Sequence, residues 1–167
     1  MPSSAISRAI GAVLLMLSGA AFAQVTPTGA ASTAASANRA GIAKVIKGQV
    51  TVTSAGAERP LAAGEAVAAT DRITTGADSS ASMVLRDGTT VVVGPNSRME
   101  LREFAYDATT YQGSVAVNVL RGTMRMVTGL IGKNRPDAVS VTTPTALIGI
   151  RGTDFIVAVE ESAPEAR

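Results

Sequence analysis

The chain has 167 residues, with 15 basic and 13 acidic side chains, 46% hydrophobic residues and only 3% aromatics. That length suits one domain with extensions, and the nearly balanced, scattered charge excludes the clustered basic surface of a nucleic-acid binder. With neither cysteine nor histidine, the chain has no disulfide, thiol nucleophile, Cys/His zinc site, Ser-His-Asp triad or histidine switch.

Residues 1–23 read as a secretory signal peptide. Arg8 precedes the apolar run AIGAVLLML at 9–17, and the small-residue site Ala21-Phe22-Ala23 predicts cleavage before Gln24. The apolar run is shorter than the roughly 20 residues a membrane-spanning helix needs. The expectation is therefore an exported protein, periplasmic in a Gram-negative cell, with no transmembrane anchor after cleavage. Residues 24–38 form an Ala/Ser/Thr-rich tether with little to bury. The folded domain is expected over 39–159, and 160–167 is expected to be a loose acidic tail.

Within the domain, hydrophobic residues alternate with period two. GQVTVT puts Val50 and Val52 on one face. PLAAGEAVAAT, interrupted by Gly64, reads as a short strand between turns. SASMVLRDG alternates Ala81, Met83 and Leu85 and runs into an Asp87-Gly88 hairpin turn, and Gly94-Pro95-Asn96 marks the next one. SVAVNVLRG alternates Val115, Val117 and Val119, MRMV and AVSVTT follow, and DFIVAV alternates Phe155, Val157 and Val159. KNRPD, at 133–137, reads as an exposed loop. Gly48, Gly56, Gly64, Gly76, Gly122 and Gly132 punctuate these runs as turns, and no segment shows a helical period. The pattern predicts an all-β domain of many short strands.

Three stretches echo one another: LRDGTTVVV at 85–93, LRGTMRMV at 120–127 and IRGTDFIV at 150–157. Each places an arginine before a glycine turn and a β-rich run. Three copies predict stacked sheet layers, with Gly149 and Gly152 shaping the last turn. Arg151, partnered by Asp154, Asp87 or Glu65, is expected to tie two layers, since a buried arginine needs partners. Replacing Arg151 with Ala is then expected to disturb the fold more than any binding event. A phosphate-loop reading of this stretch fails for want of the Lys-Ser/Thr signature and a following helix.

The order of these motifs resembles the FecR-type domain. Gly64-Glu65 followed by Asp71-Arg72-Ile73-Thr74-Thr75-Gly76 resembles its opening. Asp87-Gly88 and Pro95-Asn96-Ser97 resemble its central hairpin. VLRGTMRM, Thr143-Pro144 and Gly149-Ile150-Arg151-Gly152-Thr153 resemble its closing half. The resemblance spans about residues 41–159. It implies an all-β, twisted solenoid-like or stacked-sheet domain without catalytic residues. In its best-understood members the domain is periplasmic and relays signals from an outer-membrane transporter to a cytoplasmic sigma factor. The anti-sigma segment and transmembrane helix of those members find no counterpart in this sequence, so the resemblance speaks for fold more than for that relay. It implies that Asp71, Thr75, Gly76, Asp87, Gly88, Thr143, Pro144, Gly149, Arg151, Gly152 and Thr153 are mainly structural.

The expected function is a non-enzymatic protein-interaction or sensing module that needs no cofactor and meets a protein or cell-envelope partner through a β surface or a strand edge. The alternative is a cell-envelope module that binds carbohydrate or peptidoglycan, for which Phe104, Tyr106 and Tyr111 are the aromatics at hand. An enzyme without His or Cys would need a Ser-Lys dyad or paired carboxylates, and no Ser-x-x-Lys occurs. Asp71 and Asp78 flank a glycine turn but supply too few oxygens at regular spacing for calcium.

Overall fold

Alternation of inward valine, methionine and leucine with outward polar residues governs the architecture, because a strand turns successive side chains to opposite faces. A computed structural model describes residues 39–150 and 154–160. The signal peptide, the tether, tail residues 161–167 and the motif residues Arg151, Gly152 and Thr153 lie outside the described residues.

The strands, in chain order, are β1 (Arg39–Lys47), β2 (Val50–Ser54), β3 (Ala57–Pro60), β4 (Ala66–Ala68), β5 (Arg72–Thr75), β6 (Ser80–Leu85), β7 (Thr90–Val93), β8 (Arg98–Tyr106), β9 (Gly113–Val127), β10 (Val139–Thr142), β11 (Leu147–Gly149) and β12 (Asp154–Val159). A short helix α1 (Leu130–Asn134) and a 3-10 turn (Pro136–Ala138) separate β9 from β10. The strands join in one curled, half-barrel sheet, antiparallel at every pairing among the described residues except β9 with β10. The domain is thus all-β, as the sequence predicts.

The sheet folds over along β9. The first half of β9 pairs with β8 and, at Val115 to Asn118, with β10. That leaf runs β3-β2-β5-β8-β9-β10-β11. The second half, Gly122 to Val127, pairs with β7 and β12 in a leaf that runs β4-β1-β6-β7-β9-β12. Between the two leaves lies one core, to which Val52, Ile73, Met99 and Leu101 contribute from one side and Met83, Val91, Met124 and Met126 from the other. Each fully buried side chain of this size is worth about 1.5–3 kcal/mol against exposure, so aliphatic packing carries the fold without aromatic bulk.

Most of the expected strands appear where the alternation puts them. Val50, Val52, Ala81, Met83, Leu85, Val115, Val117 and Val119 are all buried, and PLAAGEAVAAT yields the short strand β4 between turns. Two expectations need correction. Gly122 does not end a strand. At φ +82° it bends β9 where the strand passes between leaves, and a Cβ there would stand 2.6 Å from Ser97 Cα. Gly132 lies within α1, a helix of five residues, too short to display a period in sequence. Its Ile131 is buried in the core.

The three echoing stretches also take a different arrangement from successive layers. Their β-rich runs are β7, the second half of β9, and β12, side by side in one leaf: Val92 faces Arg125, which faces Ile156, and Val93 faces Met124, which faces Val157. Both pairings are antiparallel, so the echo aligns neighbours within a sheet rather than stacking translated copies.

Candidate functional site

Each family-type turn is closed by its own polar side chain. Asp71, 2% exposed, accepts from Ser54 Oγ and, at 2.8 Å, from Ala68 N, joining the end of β2 to the turn before β5. Thr75 Oγ1 donates to Gly94 O at 2.6 Å and accepts from Ser97 N at 2.9 Å, while Gly76 N donates to Gln49 O and Gly76 O accepts from Asn96 N. Asp87 is buried and binds its own turn: Thr89 N and Thr89 Oγ1 donate to its two oxygens at 3.0 and 2.7 Å. Thr89 Oγ1 in turn accepts from Gly129 N at 2.9 Å, and Leu130 N donates to Asp87 O, which fixes the start of α1. Gly88 takes φ +84°, the left-handed conformation that an Asp-Gly hairpin turn requires. Thr143 N donates to Ala146 O and Ala146 N to Thr143 Oγ1, closing the turn that carries exposed Pro144.

These residues form separate knots at the ends of strands, not a single cleft. Buried carboxylates and hydroxyls are costly unless hydrogen-bonded, and these spend their capacity on backbone groups. Arg151 lies outside the described residues; two of the carboxylates named as its partners bond other groups. Asp154 forms a two-pronged bridge to Arg125 at 3.0 and 2.6 Å, and Glu65 takes Ala62 N at 3.0 Å and Arg59 at 2.7 Å. The Arg125 hydrogen bonds hold the Asp154 carboxyl below its ordinary value. Glu65 is lowered first by the Ala62 N–H and then by Arg59. Gly149 lies in β11, where a Cβ would meet nothing within 4 Å among the described residues.

Two hollows lie beside β11 and β12. A groove of ≈ 640 Å³ runs between the β10–β11 turn and β12, with Leu120, Pro144, Ile148, Val157 and Val159 as apolar lining and Arg98, Arg121 and Glu160 as charged lining. A shallower one of ≈ 350 Å³ shares Ile148 and Val157 and adds Gly149, Ile150, Asp154 and Ile156. Of the motif residues described, Thr143, Pro144 and Gly149 border these hollows, whereas Asp71, Thr75, Gly76, Asp87 and Gly88 serve turns elsewhere. An apolar floor with both signs of charge at its margins, bounded by strands that among the described residues pair on one side only, suits an extended peptide. The backbone of such a ligand pairs with an edge while alternate side chains enter the groove.

Sequence reading missed Arg98, Leu120 and Ile148 as groove residues, and Ser97 as a knot that accepts from Thr123 N at 2.9 Å and donates to Pro95 O. Thr123 lies 26 residues from Ser97, and no local pattern signals such a pairing. The aromatic set also divides. Phe104 and Tyr106 pack against the core, while Tyr111 is 50% exposed. Partial burial, with Tyr111 nearby, pushes the Tyr106 phenol up.

A curled antiparallel sheet whose turns are locked by short polar side chains, with open hollows beside its last strands, defines the class as an all-β module. The FecR protein family matches over residues 71–167, more than half of the chain, and the chain belongs to that family. The match begins at Asp71, so β1 to β4 precede it. A solved structure described as a cell surface anchoring domain is similar at 36% identity over 38% of this chain and 84% of that one, with a TM-score of 0.37. No curated protein matches. Among the described residues, no helix is long and apolar enough to cross a membrane.

Proposed function

We propose that this chain is an exported, periplasmic, non-enzymatic interaction or sensing module of the cell envelope, taking part in cell-surface signalling. The observation that carries the reading is the groove between the β10–β11 turn and β12, set beside a family match whose members relay signals rather than catalyse. The ligand that fits is an extended segment of a protein partner, its apolar side chains against Ile148 and Val157 and its charges at Arg98 and Glu160. Affinity capture from periplasmic extract tests this with the wild-type chain and Ile148→Glu, which sets a charge on the groove wall. The wild type is expected to recover one defined protein repeatedly and the variant to lose it. Recovery of nothing in repeated captures contradicts the reading. The carbohydrate alternative has only the open face of Tyr111 to stack a sugar, since Phe104 and Tyr106 turn inward. Failure to sediment with purified peptidoglycan removes it.

A further inference from the structure

Among the described residues four strands are paired on one side only: β3, β4, β11 and β12. Exposed edges invite pairing with other chains, and proteins blunt them with charge, proline or brevity. β3 carries Glu58, Arg59 and Pro60. β4 and β11 have three residues each. β12 has only one of these devices, a charge at its first residue: it is six residues long, reads DFIVAV, and contains neither lysine nor proline. Its one charge, Asp154, is held by Arg125 on the neighbouring β9. At its centre, Ile156 is 70% exposed.

We propose that β12 pairs, antiparallel and about a two-fold axis through Ile156, with β12 of a second copy of this chain. The register follows from face and charge. The axis must pass through a residue, because a half-step would bring the inward Phe155, Val157 and Val159 row opposite the outward row. With the axis at Ile156, that side chain meets its own copy, Phe155 lies opposite Val157, and Asp154 opposite Ala158. With the axis at Val157, Asp154 would lie opposite Glu160, and like charges directly opposite are destabilising. An apolar edge whose single charge is already paired is best matched by another of the same kind, and β12 is itself the one such edge of this length among the described residues. The resulting interface is isologous and closes at two copies. β12 also borders the groove, so the two readings are told apart by outcome: a chain that self-associates yet captures no partner sinks the interaction reading alone, and a monomer that captures one sinks this inference alone.

The absence of native cysteine allows a direct test with single thiols in the full-length exported protein. Residues directly opposite have Cβ atoms about 4.5–5.5 Å apart, within reach of a disulfide. Mild oxidation should therefore link Ile156→Cys into a covalent dimer, whereas Ala158→Cys, opposite residue 154, should stay unlinked. Ile156→Lys should weaken association measured by sedimentation roughly tenfold or more, and mixing it with Ile156→Glu should restore it. If the wild type is monomeric up to about 1 mM, the proposal is overturned. In that case slow exchange of the β12 amides would show the edge covered by the chain itself, and fast exchange would show it left for a different protein. Equal cross-linking at 156 and 158 overturns it as well.

Discussion

Gly122 and Gly149 look alike in sequence, each near an arginine in a β-rich run, yet the fold asks opposite things of them. Gly122 holds φ +82° with Ser97 backbone at its face, whereas a Cβ on Gly149 would meet none of the described residues. Left-handed strain together with a clash against backbone should cost Gly122→Ala about 3 kcal/mol. Gly149→Ala should stay within about 0.5 kcal/mol. Urea denaturation of both variants checks this, and equal losses would contradict it. Asp87→Ala removes the acceptor for Thr89 N and Thr89 Oγ1 inside a buried turn. A loss of about 2 kcal/mol is expected, seen as a lower denaturation midpoint with an unchanged slope. At this scale, Asp87-Gly88 was legible because an Asp-Gly turn is built from neighbours. Ser97 and Gly122 were not, because what constrains them arrives from another strand.

β12 illustrates both what an element's sequence reveals and what it conceals. Its alternation announces a strand, and the structure places it against β9 over Asp154 to Val159. Which neighbour it takes, and that its other edge has no partner among the described residues, follow from topology alone. The Arg125–Asp154 bridge fastens the start of β12 and carries a pH dependence of known sign. Asp154 is depressed by its Arg125 hydrogen bonds, so the bridge's contribution is complete above the ordinary carboxylate pKa and is lost as pH falls through the lowered folded value. Amide exchange of β12 in Asp154→Asn should exceed that of wild type at neutral pH, with the two converging in strong acid. A difference that persists unchanged in strong acid would show that the bridge does not hold the strand. α1 went unread because five residues give no period, and its place is set by Gly129 and Leu130 bonding to the Asp87 turn.

Across the whole molecule, an aliphatic, all-β domain of the FecR family was readable from alternation and from the order of the turn motifs. The side-by-side placement of the three echoing runs was not, since strand order depends on which distant segments meet. The same holds for the groove, whose walls come from β8, β9, the β10–β11 turn and β12. The division of labour is the central claim: turn residues such as Asp87 and Thr75 hold the sheet, and the flank between the β10–β11 turn and β12 is the surface we propose for a partner. A photo-reactive amino acid placed in living cells at Thr145 or Ile148, and at Glu58 on β3 away from that flank, tests this most directly. The account predicts one shared cross-linked protein from positions 145 and 148 and none from 58. The same product from all three positions, or none from 145 and 148, would contradict it.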